Sequence, residues 1–280
     1  MRFELDPEVV LFAESVRAAI GAWQPPCEPD LGGWHDDRDD ELAARVTEAG
    51  WAELWAGEDL LPAAVAGGIE LGRAAAPVCL VDEATLGAPL WLDGRSRHAL
   101  SSASLAVAEP RGGLGLGPPS SEARPELTLD GSGTVLVDVS ATGRLEEVAA
   151  TACWRAWNAA TLAYLAGLAQ HALALAVEHA RTREQFGAPL GSLPAVQSRL
   201  AGAALATDSV TLLAWTATAN DGGLQPDALR FAGSACCEVT ASAHQVHGAV
   251  GFALETGLHA YHRRARSVAS WAAAAADAAH

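Results

Sequence analysis

Apolar residues recur every three or four positions over most of the chain, and that spacing predicts a mainly α-helical protein. The first helix opens at Asp6-Pro7-Glu8, with Asp as N-cap, Pro at the first helical position and Glu in the first turn. Val9, Phe12, Val16, Ile20 and Trp23 then share one face, until the prolines of residues 24–30 end it. The charge run Asp36 to Asp40 reads as a solvated turn and cap. A second amphipathic helix over 41–55 carries Leu42, Val46, Ala49 and Leu54. The third, over 60–75, holds Gly67, Gly68 and Gly72, where another backbone can come close, and Pro77 stops it. Residues 83–92 read as a short fourth helix.

The pattern changes between Ser101 and Val139. Residues 104–110 and 134–139 are short, Val- and Leu-rich strand candidates, with Leu127-Thr-Leu as a third. The Gly- and Leu-rich stretch from Arg111 lacks GxGxxG and GKS/T, and prolines follow where a phosphate-binding helix would open, so it reads as a flexible loop. Helical spacing then returns for the rest of the chain. Residues 151–180 have Leu162, Leu165, Leu168, Leu173 and Leu175, with Ala159, Ala160, Ala163 and Gly167 as a small-residue face. Further helices are expected over 193–220, 226–247 and 254–279. Four long antiparallel helices with short turns make a bundle. The organisation expected is an N-terminal helical domain (1–98), a short reduced β segment (99–144) and a C-terminal four-helix bundle (145–280).

Composition narrows the function. Half of the 280 residues are hydrophobic, enough for a packed core. A net charge of −16 argues against nucleic-acid partners, which call for a basic footprint. All 18 basic residues are Arg, which excludes a Schiff-base lysine, a P-loop lysine and a Ser–Lys dyad. The five cysteines show no CxxC spacing and read as reduced thiols of a cytoplasmic protein. The most apolar run, 159–169, stops at Gln170-His171 and reads as too short to span a bilayer.

Candidate chemistry concentrates in two stretches. Arg181 and Arg183 end the long Ala-rich helix before Gly187, Pro189 and Gly191 break the chain. That arrangement either offers a guanidinium and free N–H groups to an anion or is a plain helix–helix turn with ordinary C-terminal charges. Downstream, Gln245 and His247 precede Gly248, as cofactor contacts or as polar residues satisfying a helix end. The words Arg183-Glu-Gln-Phe-Gly, then Pro189-Leu-Gly-Ser-Leu-Pro-Ala-Val-Gln-Ser-Arg-Leu-Ala, resemble the C-terminal signature of the acyl-CoA dehydrogenase family. A second resemblance follows in Gln245-Val-His-Gly-Ala-Val-Gly-Phe and on through Tyr261-His-Arg-Arg-Ala. Ile69-Glu-Leu-Gly-Arg-Ala-Ala-Ala-Pro is similar to the family's N-terminal helical domain.

The resemblance implies FAD-dependent α,β-dehydrogenation of an acyl thioester. It places Arg183 at the FAD pyrophosphate and Phe186 and Gly187 against the adenosine half. Gln245, Val246, Gly248 and Ala249 back that half, with Ala249 standing where the family has a second glycine. The family's β-barrel-like middle domain is expected to be truncated. The family's catalytic carboxylate falls in Val268 to Ala274 or, in a minority, near Trp157-Asn158, and neither stretch contains one. No catalytic residue is thereby assigned, and no metal site is expected. In the family the FAD lies across a subunit interface, so a chain keeping only the adenosine-side half resembles a subunit that completes a homologous partner's site. The alternatives are a homodimer doing non-redox chemistry, such as a cyclisation, and a flavin-free scaffold.

Overall fold

A computed structural model describes residues 5–25, 37–51, 53–56, 58–86, 108–109, 113–116, 126–127, 135–136, 143–144, 147–219 and 226–278. The expected mainly α fold is what these residues build. In chain order its helices are α1 (Pro7–Ile20), α2 (Asp37–Glu48), α3 (Leu61–Arg73), α4 (Cys79–Leu86), α5 (Glu147–Thr182), α6 (Pro194–Thr216), α7 (Pro226–His247) and α8 (Leu258–Ala278).

Local chemistry explains most boundaries. Asp6 caps α1 by accepting a 3.0 Å hydrogen bond from the Glu8 N–H, and Val9, Val16 and Ile20 turn inward. Helix α2 starts at Asp37, inside the charge run read as a turn, and an acidic sequence is of the kind that a helix N-terminus favours. It stops at Glu48 rather than running to residue 55, since Gly50 takes φ +83° and a 3-10 turn, Glu53–Ala56, follows. Helix α4 begins earlier than expected, at Cys79, and the expected stretch 87–92 lies outside the described residues.

Helix α5 runs for 36 residues and is the axis of the molecule. It packs against α3 and α4 on one side and against α6, α7 and α8 on the other. From Ala156 to Ala169 every side chain is buried, so the helix is apolar all round instead of amphipathic. By length and composition Arg155–Thr182 could cross a membrane, a longer apolar stretch than the run 159–169 suggested. Two-thirds of its most apolar window, 67%, is buried against protein, the surroundings of a core helix.

Contact between α3 and α5 is backbone on backbone. A Cβ placed on Gly72 would lie 2.1 Å from the Tyr164 carbonyl oxygen, and one on Gly167 would lie 2.1 Å from that of Ile69. A polar line crosses the same interface. Arg17 forks onto the buried Glu70 at 2.9 and 3.0 Å, and Arg73 also pairs with Glu70. Arg73 Nε donates to Gln170 at 2.9 Å, whose amide donates to Thr211 on α6. The Tyr164 hydroxyl donates to the Ala76 carbonyl, and that of Tyr261 to the Arg73 carbonyl.

The strands are short: β1 (Ala108–Glu109), β2 (Gly113–Leu116), β3 (Glu126–Leu127), β4 (Val135–Leu136) and β5 (Gly143–Arg144). All pair antiparallel, in the orders β1-β2-β5 and β3-β4. The stretch read as a flexible loop therefore contributes β2. Backbone pairing needs no side chain, and Gly113-Leu-Gly-Leu carries the two-residue alternation of a strand.

Candidate functional site

The first motif is built on the C-terminal end of α5. The Arg183 N–H donates to the His179 carbonyl at 2.8 Å, and the Arg183 carbonyl accepts from the Leu190 N–H at 2.7 Å, so this residue is fixed at the root of a hairpin. Strands β6 (Glu184–Gln185) and β7 (Ala188–Pro189) pair antiparallel, with Gln185 opposite Ala188. That register leaves Phe186 and Gly187 as a two-residue turn with φ +57° and +81°. Positive φ at both central positions is the signature of a type I′ turn, and for phenylalanine it is a strained one. Phe186 is 91% exposed, so nothing among the described residues packs on it to offset the strain. Gly191 then passes close under α5, where an added Cβ would lie 3.1 Å from the Ala180 carbonyl.

The second motif is the C-terminal end of α7. Gly248 ends the helix at φ +63°, with nothing within 4 Å of an added Cβ, and a 3-10 turn, Gly248–Phe252, follows. Gln245 and Ala249 are exposed, and Phe252 is 77% exposed beside Val250 at 51%. Val246 points the other way, into the core, so its side chain is unavailable to a ligand and only its backbone could serve one. The methyl of Ala249 lies on an open surface.

What joins the two motifs is a pair of rings. His179, one turn before Arg183, stacks on His247 with centroids 4.2 Å apart and planes at 25°. The His247 Nδ1 lies 2.8 Å from the Ala243 carbonyl, which can only accept, so Nδ1 carries the hydrogen. Burial, His247 and Arg183 hold His179 below the usual histidine range. A second group sits behind it. His244 faces Phe252 and the edge of His262, each at 5.4 Å, and His262 Nδ1 bonds the Thr240 hydroxyl at 2.9 Å. Burial also lowers both of these histidines. Sequence reasoning weighed His247 and overlooked His179. Its place four residues before Arg183, on the same helical face, was the available signal.

The remaining candidates resolve into packing. Trp157, Asn158, Val268 and Ala272, at the positions where the resemblance looks for a catalytic carboxylate, are all buried. Cys236 is buried and its thiol is pushed far up by desolvation, as befits a core residue. Among the described residues no group of three or more His, Cys, Asp or Glu is arranged to hold a metal ion.

Residues 155–272, which hold both motifs, match the acyl-CoA dehydrogenase C-terminal domain family. By sequence this segment, 118 of the 280 residues, is similar to the C-terminal domain of the acyl-CoA dehydrogenase family. Over 114 residues it is 36% identical to the 3-sulfinopropanoyl-CoA desulfinase of Paraburkholderia xenovorans, covering 39% of this chain and 29% of that protein. Over 106 residues it is 38% identical to the mitochondrial short-chain specific acyl-CoA dehydrogenase of Bos taurus, covering 36% and 26%. The matched segment thus spans under a third of these relatives' length. The fold is that of a solved steroid ACAD variant, Tcur3481-Tcur3483, with a TM-score of 0.73 at 19% identity over 97% of this chain and 95% of that one. It is also that of the ChsE4-ChsE5 complex from Mycobacterium tuberculosis, with a TM-score of 0.62 at 18% identity over 96% and 94%.

Proposed function

We propose that this chain is an acyl-CoA dehydrogenase family member, a subunit of an FAD-dependent acyl-thioester dehydrogenase that supplies the adenosine-side half of a shared FAD site. The single observation that carries this is the Phe186 hairpin. A strained type I′ turn presents an aromatic ring almost wholly to solvent, next to an Arg whose guanidinium pairs with no carboxylate among the described residues. Such a corner fits a group that is both anionic and aromatic. Arg183 would hold its diphosphate, Phe186 and the Gly187 backbone would pack on its adenosine, and Gln245, Gly248 and Ala249 would close the far side. When bound, FAD supplies the hydride acceptor for the β-carbon.

In this reading the chain's own residues bind and orient, and taking the α-proton falls to the partner. Both positions at which the resemblance places the base are occupied by core side chains without a carboxylate. A homologous partner subunit would bring the base and the flavin-ring wall. The ChsE4-ChsE5 neighbour, a chain on this fold, comes from a complex of two proteins, which supports the pairing by analogy. The same reading includes a cytoplasmic setting, in keeping with the unpaired Cys236 and Cys237.

A second reading rests on one relative being a desulfinase: a homodimer using the fold for non-redox chemistry on a thioester. An absorption spectrum separates them. Flavin bands that appear only when the chain is co-purified with a homologous subunit, and that Arg183→Ala abolishes, bear out the shared site. Flavin held by the chain alone favours the homodimer. No flavin in either preparation overturns the dehydrogenase reading.

A further inference from the structure

We infer that the stacked His179–His247 pair is a proton-linked part of the anion site, taking up one proton from solvent when a diphosphate settles beside Arg183. The inference rests on the cofactor reading and adds to it a residue pair and a pH dependence. The geometry has three parts. His179 lies one helical turn before Arg183, so both side chains face the same end of the bundle. The 4.2 Å ring stack ties that end to His247, which is flanked by Gln245 and Gly248. With its Nδ1 hydrogen committed to the Ala243 carbonyl, His247 keeps only Nε2 open for a proton.

The surroundings make His179 hard to protonate while the anion is absent. The charges acting on His179 come from His247 on α7 and Arg183 on its own helix end, and both oppose a further positive charge. His247 lies three residues after His244 on α7 and acts on its charge, and His244 meets His262 of α8 edge-on. The 3-10 turns 190–192 and 248–252 beside the pair carry no ionisable side chain, and Glu184 and Glu255 on the neighbouring segments are exposed. A diphosphate at Arg183 would offset the local positive charge and raise the affinity of the pair for a proton. By linkage, protonation must then raise affinity for the diphosphate by the same factor.

FAD itself is the probe, because its diphosphate is a diester that does not titrate between pH 5.5 and 8.5. Binding is followed by flavin fluorescence in whichever form takes up flavin, the chain alone or its co-purified complex. Affinity is expected to tighten about fivefold to tenfold from pH 8.5 to 5.5, since a rise of one pKa unit on binding is worth at most tenfold. His179→Phe/His247→Phe keeps a ring-on-ring contact without a titrating group, and should bind at the high-pH affinity with a flattened profile. His247→Phe alone, and imidazole NMR titrations of the wild type with and without FAD, guard against misfolding of the double variant. The His179 titration should move upward when FAD is added. A pH-independent wild type, or a variant that keeps the wild-type profile, overturns this inference and leaves the cofactor reading standing. No FAD binding in either form at any pH overturns both.

Discussion

Phe186 shows how a single residue can carry functional information that its neighbours in the sequence do not. Its motif points to a cofactor contact only by resemblance, whereas the φ of +57° and the 91% exposure show that it is held outward at a cost of about 1–3 kcal/mol. Substituting Phe186→Ala should therefore leave the melting temperature nearly unchanged. It should weaken FAD binding about fivefold, in line with roughly 1 kcal/mol for an aromatic stack. Flavin fluorescence titration beside thermal melts checks both halves. A large fall in melting temperature would mean that the ring packs within the fold after all. Val246 is the converse case: a motif residue whose side chain belongs to the core, leaving only its backbone for a ligand.

At the scale of elements, the seam between α3 and α5 sets where the motif-bearing end of α5 lies. Gly72 and Gly167 let the two helices touch, and the line from Arg17 through Glu70, Arg73 and Gln170 to Thr211 spans the interface. Gly72→Ala should destabilise the chain by about 3 kcal/mol or more, because its methyl would meet backbone that cannot rotate away. Denaturant melts measure the loss. An effect below about 1 kcal/mol would show that the helices separate easily. The glycines were legible in the sequence as points of close approach. Their partners were not, because Gly72 and Gly167 meet only once both helices are placed. Strand β2 was missed partly for a related reason: it pairs with β1 as a local hairpin, but its pairing with β5 joins Gly115 to Arg144, far along the chain.

For the whole molecule, four histidines, His171, His179, His244 and His262, are held below their ordinary range, chiefly by burial. The sign of the linkage follows directly. The unfolded chain protonates these rings near pH 6.5, while the folded chain resists until lower pH. Their contribution to stability is thus fully present above about pH 6.5 and is lost as pH falls through the lowered folded values. Thermal melts of the flavin-free protein should show melting temperature declining from pH 7.5 to 5.5, and His171→Phe should blunt the decline. A flat profile would mean that these rings protonate in place. Bound flavin is expected to shrink the same decline, since the anion favours the charged form of the His179–His247 pair.

Some of this protein was already decided along the chain. Helical spacing of apolar residues, the Asp6-Pro7-Glu8 start and the Pro226 and Gly248 boundaries of α7 rest on interactions within a few residues, so local chemistry determines them. The two motif stretches were legible for the same reason, since each is a continuous run. Tertiary structure decided what those runs do together. His179 and His247 lie 68 positions apart in the sequence numbering yet stack at 4.2 Å, because α5 and α7 end on the same side of the bundle. Which side chains remain outside, Arg183, Phe186 and Gln245, and which are consumed by the core, Val246 and Trp157, depends on how long helices pack around α5. Burial is a property of the assembled fold, and no periodicity within one helix can specify it.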